Sequence, residues 1–387
     1  MITHSTSIPV NCWLQQIEMK RFFLKYRYLH SWLLAEVGIL MAFFFLRQNR
    51  TAMNFLTQKI TNPLRYGIGE LCEHVPFSVA EVLYVIFFLS LLAFLIFGIR
   101  EIVRSREKRG TVYRLCMGLI VALAGIYAAF CLLWGANYYA DGFCEKSGLA
   151  DEPVHVESLY RVTKYFAAQA NAYAQRVERM DGAVDASAEE ILSYAPEIYS
   201  ALYDEFPFLE MEDSVPKAMI FSRIMSMMGF TGLYFPFTGE SNINVDFPVT
   251  TMPTTVAHEL AHRRGIASEQ ECNFVGILAA IKTENVLYRY SGWLSGYQYL
   301  ASALYKASPE LWREVYAVLS DTVIADLRVS SAYWAQFEGP VEKVSNQIYD
   351  GFLKSYGNTL GVKSYGACVD LLVAYFEEEA LNWLRTA

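Results

Sequence analysis

Apolar residues crowd the first third of the chain into three runs. Ser31 to Leu46 is bounded by His30 and Arg47 and holds one charge, Glu36. Val82 to Ile99 gives 18 residues without a charge and Leu115 to Ala140 gives 26. About 20 apolar residues in a helix cross a bilayer, so the second and third runs predict membrane spans. The first is short and reads as a span when extended by Phe22–Tyr28. The expected spans are about 26–46, 79–99 and 115–139. Trp134, Tyr138 and Tyr139 stand at the end of the third, where an aromatic belt is expected.

Beyond residue 140 the period becomes helical. Val156 to Met180 places Leu159, Val162, Phe166, Ala170, Tyr173 and Val177 on one stripe, ended by Asp181-Gly182. A second helix is expected over Ala188–Phe206. From Lys217 the pattern shortens. K-A-M-I-F-S-R-I, G-F-T-G-L-Y-F-P-F and S-N-I-N-V-D predict a small sheet just before the next helix. Pro253 and Thr254 mark that helix's start, with Thr254 as N-cap, and no breaker follows until Gly265, where an αL residue can end it. Ser268 then caps another helix, with Glu271 as capping-box partner. Phe274–Ala280 continues it, Tyr288–Tyr305 is rich in Tyr, residues 308–345 are helical, and a terminal helix runs from Ala367 to Leu384.

Charge divides the chain at about the same place. Residues 1–140 hold 14 Lys and Arg against 7 Asp and Glu; residues 141–387 hold 18 against 33. A +7 apolar third and a −15 remainder read as a membrane anchor (1–140) and a water-exposed domain (141–387). Arg100, Arg104, Arg106, Lys108, Arg109 and Arg114 crowd the loop between the second and third runs, which the positive-inside rule assigns to the cytoplasm. The N-terminus is then inside and the C-terminal domain extracytoplasmic, although four basic residues also lie in 47–78. No cleavable leader is expected. The −15 domain repels phosphates and excludes nucleic acid as a partner. With 54% hydrophobic residues and a mean hydropathy of +0.21, the lipid bilayer is the expected environment of the anchor. The seven Cys are scattered without C-x-x-C, so neither a disulfide framework nor a Cys metal site follows, and Cys272 reads as a small buried thiol.

The chemistry is concentrated in T-V-A-H-E-L-A-H-R-R-G-I-A-S-E-Q-E, Thr255 to Glu271. His258 and His262 are four apart, roughly 40° apart around a helix, and can close on one metal ion. Glu259 beside them is the expected general base, activating the water that attacks the substrate. Zn²⁺ suits a mixed imidazole and carboxylate set. A third ligand must come from Glu269 or Glu271. Glu269 is preferred because it shares a face with Asn273, which would orient a His ring from behind. Glu271 is the runner-up: it has a capping role, yet a tight hairpin sets it more nearly opposite His262. Tyr288, Arg289 and Tyr290 are candidates to stabilise an oxyanion. An extended peptide could pair along the edge of the predicted sheet. Glu240, Asn242 and Asn244 lie near such a cleft but read first as turn residues.

With these residues in view, the chain resembles an uncharacterised family of bacterial membrane proteins known as a domain of unknown function with an H-E-x-x-H signature. The resemblance starts at about residue 75. It rests on P-F-S (76–78), G-L-Y-F-P-F-T-G-E-S-N-I-N (232–244), H-E-L-A-H-R-R-G (258–265), the closing F-L-K and G-V-K-S-Y (361–365). The hairpin is also similar to the metal site of Glu-zincin peptidases, where the first Glu of E-x-x-[AC]-[DN] is the third ligand; Glu269 through Asn273 matches it, with Cys272 and Asn273 for the commoner Ala and Asp. The expectation is a mostly α protein: three N-terminal transmembrane helices plus an extracytoplasmic α+β zincin-like domain with a small β-sheet before the H-E-x-x-H helix. It would be a membrane-anchored zinc metalloprotease acting on a peptide or protein substrate. The alternative is a non-catalytic, metal-stabilised envelope sensor or scaffold.

Overall fold

The computed structural model describes residues 19–149, 154–356 and 365–386. It is mostly helical, with two small sheets. Residues 361–364 of the G-V-K-S-Y segment lie outside the described residues.

Three helices are long and apolar enough to cross a membrane: α1 (Arg27–Leu46), α4 (Val79–Arg104) and α5 (Lys108–Leu133). Between the first two run α2 (Arg50–Leu56), a π-helical turn (Thr57–Thr61) and α3 (Asn62–Glu73). α5 departs from the expected span at both ends. It starts at Lys108, because basic side chains at a helix end can extend toward water without breaking it. It stops at Leu133, and Gly135–Tyr139 forms a 3₁₀ turn. Trp134 is therefore buried in the second of two compact units rather than set in a belt.

Those units are residues 1–49 with 85–132, and residues 50–84 with 133–387. A boundary at residue 140 divides the chain by expected membrane placement; packing divides it elsewhere, because α2 and α3 join the C-terminal half. They bury the four-spaced stripe Met53, Thr57, Thr61, Arg65 and Gly69.

In the second unit α6 (Val156–Ala174) buries the expected stripe, including Leu159, Val162, Phe166 and Ala170. The expected 188–206 helix is interrupted. α7 (Ala188–Ser193) is followed by short 3₁₀ turns at Ala195–Glu197, Ser200–Leu202 and Pro207–Leu209, the first and last opened by prolines. Two short strands, β1 (Arg179–Met180) and β2 (Ala183–Val184), pair antiparallel. The second sheet has the order β3 (Lys217–Ala218), β5 (Glu240–Ile243), β4 (Gly232–Phe235); β3 is parallel and β4 antiparallel to β5. The run after Lys217 is strand only at its start, and Ser222–Met228 turns into helix α8.

The helices that follow form the core: α9 (Met252–Arg263), α10 (Glu269–Lys282), α11 (Val286–Ala307), α12 (Pro309–Tyr316), α13 (Asp321–Ala335), α14 (Pro340–Ser355) and α15 (Tyr365–Thr386). α6, α11 and α15 meet at Phe166, Trp293 and Phe376, with ring centroids 4.8 Å (Phe166–Trp293) and 5.0 Å (Phe166–Phe376) apart. α9 inserts Val256, Ala257, Leu260 and Ala261 into this core.

The C-terminal end of α9 is fixed by buried charges. Arg264 donates to both oxygens of Asp213 at 2.9 and 2.6 Å and to the Leu209 carbonyl at 2.8 Å, with its guanidinium 3.6 Å from the centre of the Tyr199 ring. The two side chains are 2% and 0% exposed. Removing one partner of such a pair leaves a buried uncompensated charge. Asp213→Asn is expected to destabilise the folded protein by about 3–5 kcal/mol, read as a lowered midpoint in thermal unfolding of the detergent-solubilised chain; an unchanged midpoint would contradict the reading of this pair.

Candidate metal centre

α9 begins one turn earlier than Thr254. Thr251 occupies the N-cap position without a side-chain cap, and Thr254 lies inside the helix, its N–H 3.1 Å and its hydroxyl 2.8 Å from the Ser291 hydroxyl. The helix ends as its sequence implies. Gly265 has φ +83°, its N–H donates to the His262 carbonyl at 2.9 Å and that of Ile266 to the Ala261 carbonyl at 3.4 Å. This is the Schellman pattern. Arg65 of α3, fully buried, donates to the His262 and Arg263 carbonyls at 3.1 and 3.0 Å. It satisfies carbonyls the helix leaves open. Ser268 then caps α10, accepting the Glu271 N–H at 3.4 Å.

This tight reversal brings the first residue of α10 back over the last turns of α9. His258 Nε2 lies 3.2 Å from Glu269 Oε2, and His262 Nε2 lies 3.5 Å from Glu269 Oε1. The ligand atoms of all three are within 4.8 Å of one another. Ligands about 2.0–2.2 Å from a tetrahedral ion stand about 3.3–3.6 Å apart; the two His–Glu distances match this, and the three groups could hold one divalent cation once the donors draw in around it. His262 is oriented from behind, its Nδ1–H donating to the Ile266 carbonyl at 2.9 Å. That bond makes Nδ1 the donor and turns Nε2 toward Glu269. The Cys272 sulfur lies 3.2 Å from the same Nδ1. The orienting contact expected of Asn273 is thus made by Ile266 and Cys272; Asn273 forms no hydrogen bond to either ring. Burial pushes the Cys272 thiol up to about 12, which keeps it a neutral thiol.

The three groups share a proton economy. Burial opposes the Glu269 charge, yet the two imidazoles outweigh it and hold the carboxyl well below its usual range. Burial likewise opposes a charged His262, but the adjacent Cys272 and Glu269 raise its pKa well above the ordinary value.

Glu259 faces the other side. It is 4% exposed, burial raises its pKa, and Oε2 has no hydrogen-bond partner. Its carboxylate lies against the backbone of β4: a Cβ on Gly232 would stand 2.5 Å from Glu259 Oε1, so only glycine lets the strand pass. The order β3-β5-β4 leaves one edge of β4 without a strand partner among the described residues.

Several residues around the triad carried no sequence signal. The Tyr349 hydroxyl of α14 donates to Glu269 Oε1 at 2.5 Å. Trp134 and Tyr234 pack against the His262 ring at centroid distances of 5.7 and 6.4 Å. Trp134 closes a long apolar run, and an aromatic there reads equally well as an interfacial anchor. Tyr349 is one Tyr among 26, on a helix whose other face is charged, and nothing in its spacing relates it to Glu269.

The remaining candidates are spent elsewhere. Glu271 accepts the Cys144 N–H at 2.9 Å, turned away from the imidazoles. Tyr288 donates to the Ile191 carbonyl at 2.7 Å and Tyr290 to Asp326 at 2.5 Å. Arg289 binds the Thr283 carbonyl, the Tyr173 hydroxyl and Glu284. None of the three reaches the triad. Glu240 accepts the Val79 and Ala80 N–H groups at the start of α4, Asn242 pairs with Ser78, and Asn244 with Ser226 and the Phe230 carbonyl. These three are structural, but Glu240 and Asn242 stand in strand β5 and not in a turn, because their backbone pairs with β4.

A family model described as a protein of unknown function (DUF3810) matches residues 56–373. The chain belongs to this family. The DUF3810 match takes in Arg65, the whole α9–α10 hairpin and Tyr349, so every side chain placed around the triad falls inside it. Comparison with curated proteins and with solved structures gives no match.

Two outcomes are expected for metal binding by the full-length protein. Wild type and Glu271→Gln should retain about one zinc per chain, whereas His258→Ala, His262→Ala and Glu269→Gln should lose it, and Tyr349→Phe should weaken binding about 10- to 100-fold. Because Glu269 makes His262 hold a proton more tightly than a free imidazole does, and an ion must displace that proton, zinc uptake should release protons and weaken as pH falls. Titration calorimetry in two buffers of different ionisation enthalpy reads this; uptake without proton release would contradict the charge balance.

Proposed function

We propose that the protein is a membrane-anchored zinc metallopeptidase of the Glu-zincin type, with its α+β catalytic unit on the extracytoplasmic side. One observation carries the reading. Two imidazole nitrogens and a carboxylate converge on one point, while the neighbouring residue of the same helix, Glu259, holds a buried carboxylate oxygen with no partner.

When bound there, zinc would act as a Lewis acid toward a peptide carbonyl and lower the pKa of water. The protein's own groups do the rest. His258, His262 and Glu269 hold the ion. Glu259, its basicity raised by burial, takes the proton of the attacking water and delivers it to the leaving amine. The unpaired edge of β4 aligns an extended peptide by backbone hydrogen bonds, which recognise main chain rather than sequence. Tyr349, whose single O–H donates to Glu269 in this structure, would turn from that oxygen to meet charge developing on a carbonyl oxygen, in place of Tyr288, Arg289 and Tyr290. The basic loop between α4 and α5 supports an inside N-terminus. With spans at α4 and α5, residues 50–78 and the chain after 133 would share one side of the bilayer, a placement supported by their clustering into one unit.

Glu259→Gln is expected to keep its zinc and lose about 10²- to 10⁴-fold in kcat in a peptide-library digest by the full-length protein. A metal-loaded wild type that cleaves no peptide, or a Glu259→Gln variant as active as wild type, would favour a metal-stabilised envelope scaffold instead.

A further inference from the structure

The helix formed by α2, the π turn and α3 has three faces rather than two. Its buried stripe is Met53, Thr57, Thr61, Arg65 and Gly69. Lys59, Asn62, Glu70 and Glu73 lie on a polar flank. The opposite flank is apolar and open: Ile60, Leu64 and Leu71 are 50%, 52% and 74% exposed. At helical spacing these three fall within about 40° of one another and about 120° from Arg65. A helix buried against its own protein on one side has no folding reason to display such a stripe on another.

The chain limits where that stripe can be. Three residues separate Leu46 of α1 from Arg50, and five separate Glu73 from Val79 of α4. At about 3.5 Å per residue, neither end of the helix can leave the membrane surface by more than about 14–21 Å. A second exposed apolar cluster is tied to the same level. The Glu81 carboxylate, in the first turn of α4, accepts the N–H groups of Ile220 and Phe221 at 2.9 and 2.7 Å. Ile220 is 77% exposed, and Phe221 and Ile224 are exposed beside it.

We infer that these two apolar faces, Ile60/Leu64/Leu71 and Ile220/Phe221/Ile224, are immersed in the interfacial layer of the bilayer, so that the metal-bearing unit rests on the membrane instead of standing off on a tether. Apolar side chains at the headgroup boundary with polar residues above are how interfacial helices bind. The consequence for the site rests on the peptidase reading. Phe235, at the end of β4, contacts Tyr84 in the second turn of α4, with ring centroids 5.1 Å apart. The strand edge that would take substrate therefore ends at the membrane surface and meets polypeptide lying close to it.

The test uses the full chain reconstituted in liposomes of phosphatidylcholine brominated at a shallow acyl position. Tryptophan is introduced singly at Leu71, at Ile220 and, as a control, at Met180 on β1, which is 64% exposed. Subtracting the parent removes the signal of the seven native Trp. Leu71→Trp and Ile220→Trp should lose at least half their added fluorescence to bromine and resist aqueous iodide, while Met180→Trp should do the reverse. Iodide quenching at Leu71 or Ile220 with no bromine effect would overturn the inference, as would quenching at one of the two alone. A second copy or a peptide covering this face would leave both probes shielded from bromine and iodide alike. The outcome is independent of Glu259→Gln turnover, so failure of the membrane contact and failure of the peptidase reading are separable.

Discussion

A half-buried carboxylate set against two imidazoles is the constraint around which the second unit is organised. Glu269 loses hydration on burial, and that cost stands unless positive charge is held beside it. In this fold the charge can be a proton on His262 or a divalent ion between the three groups, and both need the same geometry. The αL turn at Gly265 sets the distance between α9 and α10, the Ile266 carbonyl fixes the His262 ring, and Tyr349 fixes one Glu269 oxygen. Each contact is short range.

The hairpin is supported from a distant part of the chain. Arg65 puts a guanidinium on the open carbonyls at the C-terminal end of α9, between the rings of Trp134 and Tyr234. A cation there also complements the negative end of the helix dipole. Arg263 returns the connection by pairing with Glu73 of α3 at 2.7 Å. The segment between the first two apolar helices is thus a structural component of the unit that carries the His258, His262 and Glu269 triad. A fragment starting at residue 141 would leave the end of α9 without these contacts.

Much of this was legible in the chain, and the gaps have physical causes. Long charge-free runs identify α4 and α5 because nothing else in a protein needs them. H-E-x-x-H, Gly265 and Ser268 give the hairpin because spacing, an αL residue and an N-cap act locally. The α2–α3 segment was opaque: its buried face carries Thr57, Thr61, Arg65 and Gly69, which no apolar periodicity would mark. Trp134 to Tyr139 extend an apolar run that hydropathy cannot divide into span and site wall. Tyr288 to Tyr290 sit close after the hairpin in sequence, but the phase of α11 turns them toward Ile191, Tyr173 and Asp326. Tyr349 arrives from 80 residues beyond Glu269, by tertiary packing alone.

Under the proposed function one ion is held by two imidazoles and a carboxylate, with the adjacent sulfur left out. X-ray absorption at the zinc edge of the loaded full-length protein tests it most directly. The expected spectrum has only nitrogen and oxygen scatterers at about 2.0–2.1 Å, with the outer-shell pattern of two imidazoles. A sulfur shell at about 2.3 Å, which would make Cys272 a ligand, or a spectrum without ordered imidazole would contradict it.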